Sequence, residues 1–202
     1  LIDKEEFNKE EEMTDSYYHN HPHYDQHHRQ LDSLDCASAC NGTRLDVSAF
    51  VTEDTSFQDL IYQCTIEDGD CPSEYSAISC WNTAGITDME YAFGEYEFGD
   101  NAFRANSFNA PLECWDVGQV EVMSGMFEGA AFNQPIDSWD VSQVEVMAGM
   151  FAGATSFNKP IDSWNVSQVE YMAGMFAGAT SFNQSVGSWD VSQVEVMAGM
   201  FA

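Results

Sequence analysis

The chemistry-bearing residues of this chain gather in a few places. Five histidines, His19, His21, His23, His27 and His28, crowd into "HNHPHYDQHH". Alternating imidazoles suit Cu, Ni or Zn, and Asp25 could add an oxygen; the competing reading is a polar segment that uses its rings for hydrogen bonds and packing. Six cysteines stand at 36, 40, 64, 71, 80 and 114, and none follows. An even number confined to the less regular half points to disulfides in an oxidising compartment. A zinc site would need close paired spacing, which Cys36/Cys40 and Cys64/Cys71 fit poorly. Glu121, Glu145, Glu170 and Glu195 recur at one position of a repeat, as do Asp116, Asp140 and Asp190, with Asn165 filling the gap. If repeats stack at the strand spacing of about 4.8 Å, such columns either stay solvated or take a divalent cation such as Ca²⁺, which accepts carboxylate oxygens flexibly. Three Asn-x-Ser/Thr sequons, at Asn41, Asn165 and Asn183, are glycosylation candidates in a secreted chain.

Catalysis is poorly served. Every histidine lies at 19–28 and no cysteine follows Cys114, so a Ser-His-Asp or Cys-His arrangement needs the N-terminal arm folded over the rest. Asp137 and Asp140 form a carboxylate pair on paper, but they recur in successive repeats, whereas a catalytic pair needs one distinctive environment. No glycine-rich phosphate loop ending in Gly-Lys-Ser/Thr is present. The chain reads as a non-enzyme.

Charge narrows the partners. Thirty-four acidic against 6 basic residues give a net charge of -28, which opposes binding to nucleic acid, whose phosphates need Lys and Arg, and to anionic membrane surfaces. No window of about 18 apolar residues exists to span a bilayer. "LIDKEEFNKEEE" has neither an initiator Met nor the composition of a signal sequence, so the chain reads as a processed product or a fragment.

The elements that position these residues are set by an internal repeat. Residues 1–35 form an arm with ten acids, all five histidines and few aliphatics, too polar to bury a core alone. Residues 36–75 hold four cysteines, a "DGDCP" turn signal and a helical pattern, "FQDLIYQC", as expected of an end cap. From 76 to 202 the period is marked by Trp81, Trp115, Trp139, Trp164 and Trp189, which stand 34, 24, 25 and 25 apart, with an insertion at 94–107 and an incomplete last unit. Ile136, Trp139, Val144, Met147 and Phe151 mark the apolar positions of one unit, and Ile78, Trp81, Ile86, Met89 and Phe93 those of the first. The spacing predicts a short strand over Trp139–Val141 and a short helix carrying Val144, Met147, Met150 and Phe151, capped by Ser142 with Glu145 and weakened by Gly149 and Gly153. Such a period means an array in which each unit buries its apolar face on its neighbours. The fold class is an α/β repeat solenoid, leucine-rich-repeat-like, with short parallel strands, short helices and a disulfide-rich N-terminal cap. Cys80 and Cys114, each one residue before its unit's Trp, take equivalent positions in such a stack, within reach of a disulfide.

The string "SWDVSQVEVMAGMFAGATSFNQPI" resembles the BspA-like leucine-rich-repeat surface proteins, whose unit reads roughly WDVSxVxxMxxMFxxAxxFNxxI. The match covers about residues 74–202; the first unit, "CWNTAGITDMEYAFG", keeps only the skeleton, and the arm matches nothing in that pattern. The resemblance implies a cell-surface or secreted module for adhesion, matrix and display.

Repeats that agree even at surface positions such as Gln143 and Glu145 fit recent duplication, and equally a periodic surface that is itself the product. The function expected is that of an extracellular structural or adhesive surface protein, with other surface proteins, glycans or further copies of itself as partners. The alternative is a soluble Ca²⁺- or glycan-binding module. Because the chain stops at "MAGMFA", partway through a unit and without a polar cap, head-to-tail assembly into a filament is also expected.

Overall fold

The computed structural model describes residues 40, 44–48, 51, 56–65, 77–94, 96–98, 101–103 and 107–202. The arm at 1–35, with its five histidines, lies outside the described residues, as do Cys36, Cys71, Asn41 and the turn signal at 68–72. The chain forms two compact units, Leu1–Gly42 and Thr43–Ala202. In the first, Cys40 is disulfide-bonded.

The second unit begins with strand β1 (Leu45–Asp46), helix α1 (Phe57–Thr65), a 3₁₀ turn at Ile78–Cys80 and strand β2 (Trp81–Asn82). The "FQDLIYQC" pattern is α1. Its start is fixed by a reciprocal cap: the Asp59 amide donates to Ser56 Oγ at 3.1 Å, while the Ser56 amide donates to Asp59 Oδ2 at 2.9 Å. This is the capping-box logic with Asp as the acid, each side chain satisfying one backbone donor that the helix leaves free. Phe57, Leu60 and Ile61 face inward, and the Phe57 ring stands edge-on to Trp81 and Trp115, centroids 6.1 and 5.5 Å away.

Strands β1 and β2 pair in parallel, Leu45 opposite Trp81 and Asp46 opposite Asn82. Leu45 thus stands where later units carry tryptophan, and one degenerate row precedes the first unit that the tryptophans mark. Arg44, one residue earlier, donates through Nη2 to the carbonyls of Trp81 and Cys114 and so ties three rows together. Beyond β2, Asp88, Val122, Val146, Tyr171 and Val196 join successive units through single parallel bridges. The insertion carries an antiparallel pair, β3 (Tyr96–Phe98) and β4 (Asn101–Phe103), with Tyr96 opposite Phe103.

Two local expectations need correction. No strand forms at Trp139–Val141; the parallel contact falls five residues later, at Val146. No helix follows either. Residues 147–153 form a chain of turns, in which Met150 donates to Met147, Ala152 to Gly149 and Ala154 to Phe151, three residues back each time. Gly149 and Gly153 have φ of 64° and 67°, left-handed values that a right-handed helix excludes and that cost a non-glycine residue about 1–2 kcal/mol. The amides of Met147, Gly149, Phe151 and Gly153 point instead at the next unit, donating to the carbonyls of Tyr171, Ala173, Met175 and Ala177 at 2.7–2.8 Å. A helix would keep these bonds within one unit; the turn strip passes every second one to its neighbour. Ser142 has no helix to cap, and its amide instead donates to Asp140 Oδ1.

The core runs continuously along the repeats. Phe93, Phe127, Phe151, Phe176 and Phe201 stack with centroids 5.5–5.6 Å apart. Phe108, Phe132, Phe157 and Phe182 form a second column at 6.0–6.3 Å, and the columns touch within each unit at 3.9–4.1 Å. Each later tryptophan is also a hydrogen-bonded staple. The indole N–H groups of Trp115, Trp139, Trp164 and Trp189 donate to the carbonyls of Ile78, Leu112, Ile136 and Ile161, one unit back, at 2.9–3.1 Å.

Candidate functional site

The described repeats carry equivalent polar residues in columns along their exposed surface. The first column follows the tryptophans. Oδ1 of Asp46, Asp116, Asp140, Asn165 and Asp190 accepts the amide of the residue two further on, at 3.0–3.2 Å, and Asn82 does so at 3.4 Å. The side chain closes its own turn, which an Asp or Asn carbonyl oxygen does equally well. That explains why Asn165 can interrupt the acid column: the turn needs an oxygen and not a charge. At Asp190, bonds from the Ser192 hydroxyl and amide hold the carboxyl below the usual carboxylate range.

Glu121, Glu145, Glu170 and Glu195 form the second column and are all exposed. Their backbones are consecutive in one ladder: each of the last three donates its amide to the preceding member's carbonyl at 2.8 Å. Among the described residues, no group of three or more His, Cys, Asp or Glu is placed to hold a metal ion.

A third column was missed in the sequence because its residues look like generic turn formers. The amides of Asn133, Asn158 and Asn183 donate to Oδ1 of Asn109, Asn133 and Asn158, one unit back, at 2.9–3.0 Å. Gln134 and Gln184 add bonds from Nε2 to the carbonyls of Asn109 and Asn158. The recurring "FN" was the available signal: each phenylalanine fills the second aromatic column and each asparagine locks the return.

Of the sequon residues, Asn165 and Asn183 are exposed. Of the cysteines, Cys40, Cys64, Cys80 and Cys114 are all disulfide-bonded.

One cleft of about 330 Å³ opens beside the start of α1, lined in part by Ser56, Gln58, Thr87, Asp88 and Glu90. Burial, and then the charge of Asp88, push the Glu90 carboxyl above its ordinary range. Asp88 Oδ1 is already occupied by the Glu90 amide at 2.8 Å. A single raised carboxyl can donate or hold a proton, but the described lining supplies no nucleophile–base pair to work with it.

The family model described as "Mycoplasma protein of unknown function, DUF285" matches residues 99–202, more than half of the chain. No curated protein and no solved structure matches.

Proposed function

The chain belongs to the DUF285 family, and we propose that it serves as an extracellular structural or adhesive surface protein, built as a leucine-rich-repeat-like solenoid of the BspA-like type. The reading treats it as a non-enzymatic display surface, whose partners are other surface proteins, glycans or further copies of itself. One observation carries it: exposed residues recur in register along with buried ones. Exposed Gln143 and Glu145 in one unit are answered by Gln193 and Glu195 two units on. Core packing constrains residue type only where side chains are buried, so it does not account for a repeated exterior. A periodic face multiplies one weak contact into many, which is how linked sites gain avidity without new chemistry. The disulfide-bonded cysteines fit an oxidising compartment, and the acidic exterior opposes non-specific contact with anionic surfaces.

Surface digestion of intact source cells tests this reading. With only 6 basic residues, trypsin is a poor reagent, so a broad-specificity protease is used. The expected result is loss of the repeat peptides before lysis. Full protection until the cells are broken open would overturn the extracellular reading.

A further inference from the structure

We propose that Asn165 is an N-glycosylation site and that Asn183, which carries the same sequon pattern, is not. The inference rests on the extracellular reading above and goes beyond it in assigning a modification and the face that bears it. In the turn column that contains Asn165, the equivalent positions hold Asp46, Asn82, Asp116, Asp140 and Asp190. Only Asn165 there combines a carboxamide with a hydroxyl residue two positions on, since Asn82 is followed by Thr83 and Ala84. Its side chain is exposed, and its Oδ1 is held by the Ser167 amide at 3.2 Å. That bond closes the sequon into a compact turn, and the oxygen is the half of the carboxamide that the turn consumes. Nδ2, the half that carries the chemistry, is left for an incoming donor.

The sequon at Asn183 is arranged differently. Its own amide is given to Asn158 Oδ1 at 2.9 Å, and its middle residue, Gln184, is clamped through Nε2 onto the Asn158 carbonyl and Oδ1 at 3.2 and 2.9 Å. The Ser185 hydroxyl accepts the Gly187 amide. The middle residue and the hydroxyl are therefore both engaged elsewhere, and no turn bond from the Ser185 amide to the Asn183 side chain is formed. For Asn183 to take the turn that Asn165 already holds, Gln184 and the Ser185 hydroxyl would have to give up these bonds.

The donor is a lipid-linked glycosyl diphosphate, brought by a glycosyltransferase of the secretory route. The bond between Nδ2 and C1 of the sugar forms as the bond from C1 to the phosphate oxygen breaks. The electron pair leaves with the diphosphate, and one Nδ2 proton passes to a base on the transferase.

The test is to secrete the full chain from a glycosylating host behind a leader, release N-glycans by amidase in heavy-oxygen water and map the peptides. The expected result is label at position 165 in most molecules and little at 183. Asn165→Asp should abolish that label while leaving the unfolding midpoint unchanged, because Asp closes the same turn in neighbouring units. An unlabelled Asn165, or labelling of Asn183 to the same extent, overturns the inference. The leader delivers the chain to the transferase whatever its native address, so neither result bears on the extracellular reading, which surface digestion of source cells decides separately.

Discussion

The indole N–H of Trp164 donates to the carbonyl of Ile136 at 3.0 Å, across a full repeat unit and inside the core. The same bond links Trp139 to Leu112 and Trp189 to Ile161. Each tryptophan therefore both fills the interior and satisfies a carbonyl of the preceding unit. Trp139→Ala should cost about 3–5 kcal/mol, through the cavity left by a large aromatic. Trp139→Phe keeps most of the volume and removes one of the two bonds to the Leu112 carbonyl, which keeps the Trp115 amide, at about 0.5–1.5 kcal/mol. Gln143→Ala, at an exposed position, should change stability by less than about 0.5 kcal/mol. Chemical denaturation checks all three; equal losses for Trp139→Ala and Gln143→Ala would show the faces to be misassigned.

A second prediction separates the glycines. At Gly149 a Cβ would meet nothing closer than 3.9 Å, so Gly149→Ala should cost only the left-handed backbone, about 1–2 kcal/mol. At Gly125, whose φ is 56°, a Cβ would run into the ring of Tyr91. Gly125→Ala should therefore be clearly the worse of the two in thermal unfolding. Equal midpoints would mean that the Tyr91 ring moves aside freely.

Much of the core was legible from the sequence. The five recurring apolar positions of the first unit, Ile78, Trp81, Ile86, Met89 and Phe93, are all buried, as are Ile136, Trp139, Val144, Met147 and Phe151. What misled was Val144, Met147, Met150 and Phe151, whose spacing of three, three and one suits a helical stripe. A string of tight turns buries the same positions, and the deciding residues were Gly149 and Gly153, read as weakening a helix when their left-handed φ replaces it. The asparagine column was hidden for another reason. A bond from a side chain to a backbone 25 residues away leaves no local pattern beyond the recurrence of Asn itself.

Two carboxyls should titrate on opposite sides of the ordinary range. Hydrogen bonds from Ser192 lower Asp190; its stabilising contribution is present above the unfolded carboxylate pKa and is lost as pH falls through the lower folded value. Burial, and then Asp88, raise Glu90; its charged form opposes folding, and the penalty is relieved as pH falls through the raised folded value. Carbonyl-detected NMR titration should find Glu90 above the ordinary glutamate range and Asp190 below the ordinary aspartate range. Glu90→Gln should raise the unfolding midpoint at neutral pH and lose that advantage in acid. A constant difference across the titration would contradict the burial of the Glu90 charge.

The cysteines give a fourth prediction. With Cys40, Cys64, Cys80 and Cys114 all disulfide-bonded, thiol labelling of the unreduced, denatured chain should find none of these four reactive. Labelling at any of them would contradict the bonded state. Peptide mapping of the same material identifies the partner of each of the four.

The most direct test of interchangeable, mutually bonded repeats is to remove one whole unit. Deleting residues 157–181 joins Ser156 to Phe182, the same Ser-Phe-Asn junction that Ser156 makes with Phe157. The strip at 147–153 would then find its acceptors in the unit that ends at Ala202, as the strip at 172–178 does now. A quasi-one-dimensional array tolerates the loss of one unit with lower stability and the same cooperativity, whereas deleting residues 157–168 alone puts every later column out of register. The account predicts that the 25-residue deletion keeps the far- and near-ultraviolet circular dichroism line shapes and unfolds in one transition at a lower midpoint, while the shorter deletion does not fold. Collapse of both variants, or equal survival of both, would contradict it.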